Sequence, residues 1–100
     1  MKPIRESQIE KYLVAQVKAR DWLIRKVIWK SCRNAPDRVI MAFQNTVWIE
    51  LKKQGGKATF PKDAHEGRQL REHERMRGMG QRVEVIDSFE GVDKLIGEMR

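Results

Sequence analysis

The chain contains one cysteine, Cys32, two histidines, three prolines and one tyrosine. A lone cysteine excludes an internal disulfide and fits a reducing, cytoplasmic setting. As a nucleophile it would need His65 or His73 as a base, so a plain thiol is the simpler reading. No Cys/His cluster has zinc spacing. No stretch reaches the roughly eighteen apolar residues of a membrane span, and the N-terminus lacks the apolar segment of a signal peptide. Gly55-Gly56 is not followed by the Gly-Lys-Ser/Thr ending of a phosphate-binding loop. Repeats, low-complexity tracts and linkers are missing too, so residues 1–100 read as one small domain.

The charge is abundant and one-sided. Twenty-one Lys and Arg face 14 Asp and Glu, a net charge of +7. Such a balance suits an anionic partner, most often nucleic acid, or a face that keeps a small protein dispersed. The hydrophobic fraction of 40% supports one modest core.

Ile9, Tyr12, Leu13 and Val17 recur at helical spacing and predict a helix over 6–20. Ser7 to Glu10 matches a capping box with Ser7 as the cap. Glu10 is then either the reciprocal cap or a carboxylate turned toward a site, and Glu6, one turn earlier, competes for the second role. Residues 22–30 are β-branched and aromatic and predict a strand. Trp22 and Trp29 read as core or interface. Residues 31–37 form a loop in which Asn34 suits a left-handed position, and 38–43 form a second strand. Gln44-Asn45 reads as a tight turn into a third strand, making an antiparallel hairpin.

Alternation along the third strand puts Val47, Ile49 and Leu51 on one face and Trp48, Glu50 and Lys52 on the other. Glu50 and Lys52 are then about 7 Å apart along the strand. Counting pairs out from the turn brings Asp37 level with them. Two carboxylates in one small space repel unless one is protonated or a cation lies between them. Hard oxygens suit magnesium or manganese, which keep several waters and take one or two carboxylates. The Leu51 carbonyl, between Glu50 and Lys52, is a further candidate ligand. Lys52, while protonated, can orient a water or steady charge on a phosphate. The alternative is a Glu–Lys surface pair of little energetic weight.

Downstream, the basic loop from Lys52 to Lys57 reads equally as a DNA-backbone contact or as solvated chain. Gln69 to Arg77 predicts a helix with a narrow stripe of Leu70, His73 and Met76, ended by Gly78 and Gly80. His73 reads as a packed histidine. A fourth strand follows over 81–86, and a last helix capped by Ser88 runs through Met99 with Val92, Leu95 and Ile96 inward.

Pro36-Asp37 followed by Glu50-Leu51-Lys52 is the Pro-Asp…(Asp/Glu)-x-Lys signature of restriction-endonuclease-like nucleases. Residues 6–13, 35–38, 47–52, 69–74 and 83–87 fall in the order seen in virus-type replication-repair (VRR-NUC) nucleases, which the chain resembles over nearly all of residues 6–96. The resemblance implies an α/β fold with an α-β-β-β-α-β-α order and a central mixed sheet flanked by helices. It implies magnesium- or manganese-dependent hydrolysis of DNA phosphodiesters. Asp37 and Glu50 would be metal ligands, Lys52 the catalytic lysine, Glu10 the helix carboxylate and Gln69 a glutamine facing the site. Stand-alone viral members are similar to junction resolvases, which implies branched DNA such as four-way junctions, and a homodimer. A non-catalytic DNA-binding module and a nonspecific nuclease are the alternatives. This chain departs from the pattern at Arg20-Asp21 and Asn34, where members often have glycine, and in the longer, more charged segment over 55–68.

Overall fold

The computed structural model describes residues 2–99. Helix α1 (Glu6–Ala19) is followed by strands β1 (Leu23–Lys26), β2 (Arg38–Ala42) and β3 (Asn45–Leu51). Helix α2 (Ala64–Gly78), strand β4 (Arg82–Ile86) and helix α3 (Phe89–Glu98) complete the chain. The four strands lie in the order β1-β2-β3-β4. The first two pairings are antiparallel and the third is parallel. A parallel neighbour cannot be reached by a tight turn, so α2 serves as the crossover between β3 and β4. The expected order and mixed sheet are both present.

The faces of β3 separate as its alternation requires. Val47 and Ile49 are fully buried and Leu51 nearly so. They meet Ile9, Leu13 and Val17 of α1 and Val92, Leu95 and Ile96 of α3 in one cluster. The opposite face carries Trp48 and Glu50 and receives α2. That helix brings Glu66, Gln69 and His73 inward, so a polar layer occupies the second side of the sheet.

Several local expectations shift. Helix α1 begins at Glu6, two residues before the start that a Ser7 cap would set. Arg5 is the N-cap, and the Gln8 Oε1 accepts from the Arg5 backbone N–H at 2.9 Å. Ile4 packs on the cluster that holds Ile9, as a hydrophobic staple does. Glu10 is thereby released from any capping duty. The predicted strand over 22–30 shortens to Leu23–Lys26, although the Val27 N–H still donates to the Asp37 carbonyl at 2.9 Å. The hairpin turn falls at Phe43-Gln44, one residue earlier than expected, with Gln44 at φ 55°. Asn45 joins β3, and its side-chain amide donates to the Met99 carbonyl. Among the described non-glycine residues the left-handed positions are Asp21 and Gln44, not Asn34. Asp21, at φ 59°, takes a left-handed conformation that suits glycine better than most side chains.

The largest difference is α2, which starts at Ala64 rather than Gln69. Asp63 caps it by accepting from the Glu66 N–H at 2.8 Å, and Glu66 accepts from the Lys62 N–H at 3.0 Å. The added first turn converts part of an apparent loop into site-bearing helix. Its buried stripe is Glu66, Gln69 and His73, while Leu70 and Met76 are half-buried. At the C-terminal end, Ser88 caps α3 as expected, accepting from the Gly91 N–H at 2.9 Å.

Candidate active site

The hairpin register places the acids. Arg38 pairs with Ile49, so one step further out Asp37 stands opposite Glu50. Directly opposed residues share a face. Asp37, Glu50 and Gln69 line one cleft of about 330 Å³, with Lys26 and Arg33 on its rim. Thus the four side chains expected near the site from β2, β3 and α2 gather on one side of the sheet, because Lys52 is bonded to Gln69. Its Nζ donates to Gln69 Oε1 at 2.8 Å and lies 3.0 Å from Glu66 Oε2. The Leu51 side chain faces away into the core, leaving only its backbone carbonyl as a candidate donor on this side.

The aromatic ring of Phe60 sits beneath this group. Lys52 Nζ is 5.2 Å from the ring centroid, and the His73 ring stacks on Phe60 at 5.6 Å. His73 is fully buried, and its Nε2 lies 3.3 Å from Glu50 Oε1. A neutral ring protonated at Nε2 donates there and leaves Nδ1 without a partner among the described residues. Glu50 therefore has one oxygen held from behind, while its side chain also borders the cleft.

No family model matches the sequence. A phage protein named "Putative nuclease p44", from Acyrthosiphon pisum secondary endosymbiont phage 1, is 37% identical over 90 residues, covering 88% of each chain. A solved structure described as a VRR_NUC domain is 34% identical, with a TM-score of 0.79 over 97% of this chain and 99% of that one. The chain belongs to the VRR-NUC nuclease family.

Within this VRR-NUC domain, the two carboxylates of α1 have different settings. Glu10 forms an ion pair with Arg38, whose other amino group lies 2.9 Å from Asp37 Oδ1. That guanidinium links Glu10 to Asp37. Glu6, although exposed, has its pKa raised above the ordinary carboxylate value, by partial desolvation first and then by the negative charge of Glu50. Asp37 and Glu10 add to the rise and Lys52 opposes it. A raised carboxylate beside two others marks a spot where negative charge is under-compensated.

The residues present fit a divalent cation with hard-oxygen preference. Among the described residues no three of His, Cys, Asp and Glu converge as a ready-made cage. Two opposed carboxylates in an open cleft match an ion that retains much of its water, and do not match a closed zinc site.

Glu66 and the contact role of His73 escaped the sequence reading. Both had a signal. Asp63-x-x-Glu66 is itself a capping-box pattern, and residues 66, 69 and 73 share one helical face. Burial pushes the Glu66 pKa up, but the Lys62 N–H and the Lys52 ammonium outweigh it and hold the carboxyl below its ordinary value.

Proposed function

We propose that the domain hydrolyses DNA phosphodiester bonds with magnesium or manganese held by Asp37 and Glu50, with the Leu51 carbonyl as a third oxygen. The observation that carries this reading is the opposition of Asp37 and Glu50 across the hairpin, on the sheet face to which Gln69 and Glu66 pin Lys52. A bound divalent ion would lower the pKa of a coordinated water and neutralise charge on the phosphate.

The chain's own residues supply the rest. Lys52 presents a fixed ammonium to the charge that builds on the phosphate oxygens. Gln69 accepts from Lys52 and directs it toward the cleft. Glu6, which lines the neighbouring cavity with Lys52, and Glu10, paired with Arg38, are the two carboxylates that α1 offers to the site. Glu10 acts on Arg38 and so steadies Asp37. His73 restrains one oxygen of Glu50, and Lys26 and Arg33 on the cleft rim suit phosphate contacts.

The finer reading is a structure-selective endonuclease on branched DNA such as four-way junctions, acting as a two-fold dimer. Symmetric incision of a four-way junction calls for two matched sites. Support comes from the open edge of the sheet. Among the described residues β1 has no outer neighbour, and Leu23 on it and Ile28 and Trp29 just after it are 48%, 86% and 37% exposed. Unpaired edges with apolar neighbours invite a partner.

A panel of linear, flapped and four-way DNAs, with magnesium, manganese or chelator, tests the activity. Asp37→Asn and Lys52→Ala are expected to bind DNA and fail to cut it. Cutting by either variant at the native rate would refute the assignments. Sedimentation is expected to give a dimer, and a monomer at working concentration would leave a simpler endonuclease.

A further inference from the structure

A second cavity, of about 570 Å³, adjoins the cleft that holds the acid pair. Its walls include Lys52, Lys53, Gly56, Thr59, Lys62 and Glu66. The two spaces share one partition. Lys52 donates to Gln69, which lines the acid cleft, and pairs with Glu66, which lines the second cavity. We infer that this second cavity seats the phosphate next to the scissile one in the strand being cut, an inference that rests on the nuclease reading above.

Charge and rigidity support it. The Lys52–Glu66 pair is internally neutral, whereas Lys53 and Lys62 form no ion pair among the described residues. They leave the cavity cationic against the single carboxylate of Glu6 at its rim. The rim is tied down, as a merely solvated loop would not be. Asp87 Oδ2 accepts from the N–H groups of Gly55 and Lys57, each at 3.1 Å. Gln54 and Ile4 exchange two hydrogen bonds, at 3.0 and 2.9 Å. The loop also passes close to the lysine stem, since a Cβ on Gly56 would meet Lys52 Cβ at 2.8 Å. A strand whose reacting phosphate lies over Asp37 and Glu50 crosses Lys52 and enters a preformed, positively lined space. Preformed donors hold a backbone phosphate without ordering cost.

The test is metal-free binding of a short single-stranded or duplex DNA, followed by fluorescence anisotropy across a salt series. The double variant Lys53→Gln/Lys62→Gln alters exposed side chains, and circular dichroism checks that it folds. Its affinity is expected to fall roughly tenfold, the size of one charge-assisted contact, and its log–log salt slope to fall by about 1. A single neutral methylphosphonate walked along the strand is expected to weaken native binding at one linkage and to cost nothing further there in the variant. Native-like binding by the variant, or penalties that add at every linkage, would overturn the subsite. Neither readout requires cleavage. A chain that shows the non-additive linkage but cuts nothing with any metal keeps the subsite and loses the nuclease chemistry. A chain that cuts but shows additive penalties loses only the subsite.

Discussion

Replacing Glu66 with Gln tests whether the polar layer under α2 is an electrostatic device or mere packing. The substitution preserves shape and removes one charge. The Lys52 and Glu66 side chains are 14% and 8% exposed, so the ammonium left behind cannot be fully rehydrated. Breaking a buried pair costs about 3–5 kcal/mol. Lys52 keeps its bond to Gln69 at 2.8 Å, which lowers the expected loss to about 2 kcal/mol at pH 7. The pH dependence has a defined sign. Glu66 titrates below its ordinary 4.5 in the folded chain. Its contribution is therefore complete above the unfolded value and fades as pH falls through the depressed folded value. Urea unfolding of native and Glu66→Gln chains should show a gap at pH 7 that narrows as acid is added below 4.5. In a Lys52→Met background the same substitution should cost much less. A gap that is constant with pH, and unchanged by Lys52→Met, would refute the electrostatic account.

Two further outcomes follow from particular contacts. His73→Leu should leave the fold intact but weaken manganese binding at least tenfold, as loss of a ligand's supporting hydrogen bond does, and titration calorimetry reads this without turnover. Ile49→Ala empties a fully buried position in the main cluster and should destabilise by about 2–5 kcal/mol in chemical unfolding, with full activity wherever the chain remains folded.

The hairpin was legible because two strong patterns coincide there. Period-two alternation separates Val47, Ile49 and Leu51 from Glu50, and the short turn fixes which residue meets which. The turn lies at Phe43-Gln44 rather than Gln44-Asn45, which moves the residue opposite Asp37 from Lys52 to Glu50, two positions earlier on the same face. Helix α3 was legible because Ser88 and an apolar stripe agree. The beginning of α2 was not, because its inward face is Glu66, Gln69 and His73. Periodicity methods seek apolar residues, and here burial is sustained by hydrogen bonds and charge. Glu10 and Glu6 lie one turn apart on α1, so spacing alone could not rank them. What separates them is a partner distant in sequence, Arg38, which pairs with Glu10.

Parallel pairing of β3 with β4 has a consequence for how the domain matures. The acid pair and Lys52 are synthesised by residue 52, yet the groups that steady them arrive with α2, which packs against Arg82–Ile86, the strand that closes the crossover. Such distant pairings are slow to form. A chain still emerging from the ribosome thus carries its acids and lysine without the scaffold that aims them, and competence to cut arrives only with the final third of translation.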